Sequence, residues 1–172
     1  MTSVSAATRQ IPNALTILRF LAIPLFVVLL LQEREGPSWW AWAVFATAGA
    51  TDQLDGYLAR RWRVESQFGT IADPLADRVM ISTAVVLLVV LDRLPWLALL
   101  LLLRDVVLIA GYRFVVARGY DFQVSRLGKI ATWGLYASLG LVLITPQGTW
   151  WALACFWINL ALAVAAAGQY VL

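Results

Sequence analysis

Asp52-Gln53-Leu54-Asp55-Gly56-Tyr57-Leu58-Ala59-Arg60, followed after eight residues by Gly69-Thr70-Ile71-Ala72-Asp73-Pro74-Leu75-Ala76-Asp77-Arg78, decides how the rest of the chain is read. Each stretch joins a largely apolar run. Trp39 to Thr51 comes before the first, and Val79 to Leu91 follows the second. Asp52 and Asp55 are spaced i,i+3, and Asp73 and Asp77 are spaced i,i+4, so each pair shares one face of a helix. The link between the two segments is short, so they run antiparallel as neighbours and bring both pairs to the same end. Acids on apolar helices are expensive and usually functional.

Outward from these segments the chain stays apolar. Of its 172 residues 62% are hydrophobic and 13% charged, with a mean hydropathy of +0.79. A soluble domain is roughly half apolar and about one quarter charged. So little charge cannot cover a soluble surface, which points to an all-α polytopic membrane protein. The length suits six transmembrane helices of ~20 residues each, forming one domain over residues 1–172. Residues 1–12 form a short cytoplasmic or interfacial start. The expected spans are 13–31, 39–60, 70–91 and 96–116, then two more after residue 130. The 43 residues from Ile130 to Leu172 carry no charge and are broken at Thr145-Pro146-Gln147-Gly148. Glu33 to Pro37 and Asp92 to Pro95 mark turns, and Arg118 to Gly128 a polar connector.

The basic residues orient the chain. With the amino terminus inside, Arg9, Arg19, Arg60, Arg61, Arg63, Arg113, Arg118, Arg126 and Lys129 fall on the inner side, and only Arg34 and Arg93 outside. This asymmetry satisfies the positive-inside rule and places the acid pairs at the cytoplasmic face of the cell (inner) membrane. Trp39, Trp40, Trp96, Trp150 and Trp151 then anchor the outer interface. The absence of His and the single Cys155 exclude His-based bases, zinc sites and intrachain disulfides. The scattered basic residues argue against a nucleic-acid surface.

Four carboxylates in one pocket repel each other, and divalent cations relieve that repulsion. Two Mg2+ or Mn2+ ions match four aspartates in charge, and an all-oxygen ligand set of Asp52, Asp55, Asp73 and Asp77 suits the hard ions Mg2+, Mn2+ or Ca2+ rather than zinc or copper. Such a site serves phosphoryl chemistry. Gly56 allows close approach to the backbone, Ala59 leaves room for a base or sugar, and Arg60 offers a forked donor to phosphate. Gly69 permits close packing where the third span begins, and Pro74 is expected in that helix's first turn. A buried acid cluster that binds a transported ion, or pairs with Arg60, Arg78 and Arg104, is the competing reading. No internal repeat of the kind found in transporters is visible.

The pattern Asp52-x-x-Asp55-Gly56-x-x-Ala59-Arg60, eight residues, Gly69-x-x-x-Asp73-x-x-x-Asp77 resembles the full signature of the CDP-alcohol phosphotransferase family. Pro12-Asn13-Ala14-Leu15-Thr16-x-x-Arg19 resembles the opening of its bacterial phosphatidyltransferases. The resemblance implies six membrane helices, a homodimer, a polar cavity facing the cytoplasm and a divalent metal centre. It makes Asp52, Asp55 and Asp73 metal ligands. Asp77 becomes both a neighbour of the metals and the general base. Gly56, Ala59, Arg60 and Gly69 become the CDP-binding positions. The implied reaction moves a phosphatidyl group from CDP-diacylglycerol to an alcohol and releases CMP.

The acceptor alcohol is read from Arg104, Asp105, Arg113, Arg118, Arg126 and Lys129, a basic set suited to a phosphate on the acceptor. Arg104 has an alternative role as the partner of Asp77 or Asp105, and Arg118, Arg126 and Lys129 can simply follow the orientation rule. Gly128-Lys129-Ile130-Ala131-Thr132 lacks the second Lys of the Gly-Lys-x-Lys-Thr run found in phosphatidylglycerophosphate synthases, which use glycerol 3-phosphate. The runs from Asp73 to Ser82 and from Arg104 to Gly111 look more like CMP-forming cardiolipin synthases, whose acceptor is phosphatidylglycerol. An ion-coupled transporter is the alternative of a different class.

Overall fold

The structure, a computed structural model, describes residues 6–34, 36–62, 67–107 and 126–168; the side chains at 6–16, 52–62, 67–74, 126, 127, 129 and 167 lie outside the description. The described residues are mostly helical, with no strand among them. The helices are α1 (Ala6–Gln32), α2 (Trp39–Trp62) and α3 (Gln67–Val90). A 3-10 turn, Trp96–Leu99, runs directly into helical residues 100–107, labelled α4. Then come α5 (Arg126–Ile144) and α6 (Trp150–Gly168). The all-α expectation is met. Among the described residues no helix is long and apolar enough to cross a membrane. Several turns of α2 and α3 are given over to charged residues.

Contacts divide the chain into two units, Met1–Arg34 with Ser38–Ala84, and Glu35–Pro37 with Val85–Leu172. In the first unit α1 packs on α2. The buried stripe of α1 is Arg19, Phe26 and Leu30; that of α2 is Ala41, Phe45 and Ala48. Phe26 and Phe45 meet with ring centroids 5.7 Å apart at a tilt of 38°, a favourable aromatic geometry. Ser38 starts α2: its carbonyl accepts from Trp42 N–H, and its hydroxyl donates to the Glu33 carbonyl at 3.2 Å.

In the second unit α3 ends in a Schellman arrangement. Asp92 N–H donates to Val89 O and Arg93 N–H to Leu88 O, with Asp92 at φ 55°. Asp is one of the few residues other than Gly that adopts this left-handed geometry readily. The turn after α3 is tied to the turn after α5. Gln147 Nε2 donates to Asp92 O at 2.9 Å. Arg93 Nη2 donates to Thr145 O at 2.8 Å and Leu143 O at 3.3 Å. Arg93, expected as an outer loop cation, is therefore buried and satisfies carbonyls at the carboxyl end of α5, where a helix leaves its last acceptors open. Trp96, Trp150 and Trp151 flank these turns and are exposed, as interface anchors would be.

Helices α5 and α6 pack through Gly134. A methyl group built there would overlap Asn159 Oδ1, and Asn159 is held by its Nδ2 donating to Cys155 O at 2.8 Å. We expect Gly134→Ala to destabilise the protein by about 1–3 kcal/mol, read as a lower melting temperature in detergent. Adding Asn159→Ala should recover part of the loss. If the single variant melts like the parent, the contact carries no packing energy.

Two boundaries differ from the sequence reading. The first helix starts at Ala6, seven residues before position 13, because Ala6-Ala7-Thr8-Arg9-Gln10 contains good helix formers. The third starts at Gln67, which places Pro74 two turns inside α3 rather than in its first turn. Pro74 then has no N–H to give the carbonyl of residue 70. The fourth span was expected to reach 116; residues 108–116 lie outside the described residues, as does 118–125 of the connector.

Candidate active site

Asp52 and Asp55 lie on α2, and Asp73 and Asp77 on α3, so the helical spacing read from the sequence is present in the backbone. Both helical segments belong to the first unit. The register of burial says more. On α2 the buried positions 41, 45 and 48 advance by four and three residues, and the same steps continue to 52, 55 and 59. On α3 the buried positions include 76, 80, 81 and 84. Stepping back by fours from Ile81 gives 77, 73 and 69. Asp52, Asp55 and Ala59 thus share one register along α2, and Gly69, Asp73 and Asp77 share one along α3, where Asp77 is half-buried. Gly56 and Arg60 lie one position further round α2.

Of the four aspartates, Asp77 has its side chain described. Its Oδ1 is 4.0 Å from Arg19 Nε on α1, an ion pair longer than a hydrogen bond. The Arg19 side chain is fully buried, while 31% of the Asp77 side chain is exposed. The Oδ1 atom is itself buried, so the exposure belongs to the rest of the carboxylate arm. Arg19 was expected only as an inner-face cation; the structure adds it to the site. The signal was present in the sequence: within residues 10–32 of α1, Arg19 is the one charged residue, and intramembrane charges tend to have named partners.

Helix register draws the same residues together. Arg19 lies seven residues before Phe26, and Asp52 seven residues after Phe45. On two antiparallel helices in contact at Phe26 and Phe45, both positions are displaced about 10 Å in the same direction. Arg19 is therefore level with Asp52 on α2 as well as paired with Asp77 on α3.

The donor set is chemically coherent for a divalent metal. Four carboxylates at helical spacing on two helices supply hard oxygen ligands with no His or Cys among them. Among the described residues no group of three or more His, Cys, Asp or Glu gathers; the side chains of Asp52, Asp55 and Asp73 are outside that description, as are those of Ala59 and Arg60.

The residues expected to hold the acceptor divide. Arg104 Nη1 donates to Asp105 Oδ1 at 3.1 Å on α4, and each side chain is 11% exposed. Of the two partners considered for Arg104, the structure shows Asp105. Arg113 and Arg118 lie outside the described residues. Arg126 and Lys129 are in the first turn of α5, with side chains outside the description.

Comparison with known proteins follows the same lines. Residues 9–165 match the family model described as CDP-alcohol phosphatidyltransferase. A cardiolipin synthase (CMP-forming) of Streptomyces coelicolor is 41% identical over 145 residues, covering 81% of this chain and 67% of that protein. A CDP-diacylglycerol–glycerol-3-phosphate 3-phosphatidyltransferase of Cereibacter sphaeroides is 38% identical, covering 81% of this chain and 64% of the relative, just under two thirds. A probable phosphatidylglycerophosphate synthase of Mycobacterium tuberculosis is 33% identical, covering 83% and 70%.

Proposed function

The chain belongs to the CDP-alcohol phosphatidyltransferase family, and on that premise we propose that it transfers a phosphatidyl group from CDP-diacylglycerol to phosphatidylglycerol, forming cardiolipin and CMP. Membership makes it a transferase of phospholipid synthesis and decides against the ion-coupled transporter. The observation that carries the reading is Asp77 of α3 paired to the buried Arg19 of α1, on a helix that also bears Asp73 one turn away, with Asp52 and Asp55 one turn apart on α2.

In this reading Asp77 accepts the proton of the acceptor hydroxyl. The oxygen attacks the phosphorus that carries diacylglycerol. The bond from that phosphorus to the bridging pyrophosphate oxygen breaks, and CMP leaves with the electron pair. An ordinary aspartate is a weak base for an alcohol, so placement of the hydroxyl against Asp77 supplies much of the acceleration. Gly56, Ala59, Arg60 and Gly69 hold the CDP portion, Arg60 on the diphosphate. Asp52, Asp55, Asp73 and Asp77 would hold two divalent cations, Mg2+ or Mn2+, which when bound supply positive charge at the pyrophosphate.

The protein is read as a single multi-pass domain of the inner membrane, dimeric, with its amino terminus and site on the cytoplasmic side. Support comes from an inverted surface. On α1 Leu18, Leu21, Leu25 and Val28 are at least half exposed, while Arg19 is 1% exposed. An exposed apolar face of that length suits lipid rather than water. A lipid-linked nucleotide also needs a site at a membrane boundary, where its head meets the acids and its tails stay in hydrocarbon.

The acceptor choice rests on two supports. One is the name of the 41% identical relative. The other is the Arg104–Asp105 pair, which already compensates one of the cations a free phosphate would need. The second reading, glycerol 3-phosphate, is favoured by the names of other relatives. Purified protein with Mg2+ and CDP-diacylglycerol should release CMP only when an alcohol is present. With the two acceptors offered separately, lipid mass spectrometry should find cardiolipin and little phosphatidylglycerophosphate. The reverse product ratio identifies glycerol 3-phosphate as the acceptor. Metal uptake with no CMP release under either condition rejects the enzyme reading.

A further inference from the structure

Burying a guanidinium in an apolar setting costs several kcal/mol even when it is paired, and a well-packed apolar residue is often the more stabilising choice. Arg19 is buried all the same, on a helix whose neighbouring Leu18 and Leu21 face outward. Its position is set by packing. Phe26 and Leu30 continue the same stripe of α1, and the Phe26–Phe45 contact locks that stripe against α2. A side chain so anchored is a rigid reference point. It stands 4.0 Å from the buried Oδ1 of Asp77.

We propose that Arg19 is a positioning residue for phosphatidyl transfer: held by α1–α2 packing, it orients the Asp77 carboxylate through the charge it places beside Oδ1. The proposal rests on Asp77 being the proton acceptor. Arg19 itself touches no substrate. Without it the Asp77 side chain gains rotamers, and misplacement of about 1 Å costs roughly 10²-fold in rate.

The test uses full-length protein in detergent with Arg19→Met, Arg19→Lys and Asp77→Asn. For Arg19→Met, kcat should fall roughly 10²-fold while KM for CDP-diacylglycerol stays within about threefold, the split expected when only transition-state placement is lost. Arg19→Lys should lie about threefold to tenfold below the parent, because it keeps the charge without the rigid fork. Mn2+ binding, followed by electron paramagnetic resonance with no substrate, separates placement from charge. Loss of a nearby positive charge alone tightens cation binding. Loss of a held carboxylate weakens it, by about tenfold or more for a residue that orients a ligand. Weaker Mn2+ binding in Arg19→Met supports the proposal; tighter or unchanged binding overturns it. A kcat within about threefold of the parent in folded Arg19→Met also overturns it, as does a Lys variant no better than the Met variant. Should Arg19→Met not fold, Arg19→Lys decides: unchanged kcat with only a lower melting temperature makes Arg19 a structural strut. If Asp77→Asn itself keeps turnover, the reading of Asp77 as the base is what fails.

Discussion

Replacing Asp77 with Asn should reduce kcat by roughly 10²–10⁴-fold, the range associated with loss of a positioned proton acceptor. Asn has nearly the same shape, so the packing around position 77 of α3 is kept. What it lacks is the capacity to take the hydroxyl proton and the negative charge that faces Arg19. CDP-diacylglycerol recognition is assigned mainly to α2, through Gly56, Ala59 and Arg60. Binding should therefore remain measurable by calorimetry while CMP release with Mg2+ is lost. Near-normal turnover by the purified variant would remove Asp77 from its assigned role. Loss of binding together with turnover would make it a substrate-holding residue instead.

Arg93→Ala should lower stability by about 2–5 kcal/mol. Arg93 is 4% exposed and its guanidinium donates to two main-chain carbonyls, Leu143 O and Thr145 O. Truncation leaves these acceptors without that donor in a poorly hydrated place and opens a void beside Val142, Ala152 and Leu153. For a chain of this length the apparent melting temperature in detergent should drop by roughly 5–15 °C. Arg93→Lys should recover part of the loss, because both bonds leave the single nitrogen Nη2 and an ammonium also carries several donors on one nitrogen, though on a shorter and more flexible stem. If the alanine variant melts within a degree of the parent, these hydrogen bonds contribute little and the two turns are held by Gln147 and Asp92 alone.

Local rules read most of the helices correctly. The turns after residues 32 and 90 and the break at Thr145-Pro146-Gln147-Gly148 fall where Gly, Pro and charge cluster. They fail where a signal is ambiguous. Pro12 looked like a helix start, yet residues 6–10 are good helix formers and the helix runs through it. Pro74 looked like a first-turn proline, but α3 begins at Gln67 and runs through Gly69, so the proline falls two turns in. The acids of the site were legible because carboxylates on apolar helices stand out against their background. Arg19 and Arg93 did not stand out in the same way, since both were counted with the loop and interface cations that set orientation.

What the one-dimensional chain determines here is chemistry and period: four aspartates at helical spacing, an all-helical build, and the family to which the pattern belongs. Tertiary structure alone decides which charges meet. Arg19 and Asp77 are 58 positions apart, and Arg93 and Thr145 are 52 apart. No local propensity encodes either contact. Each follows from how helix stripes and turns are brought into register by packing, and the burial that results turns a cation of ordinary appearance into a paired or carbonyl-capping one.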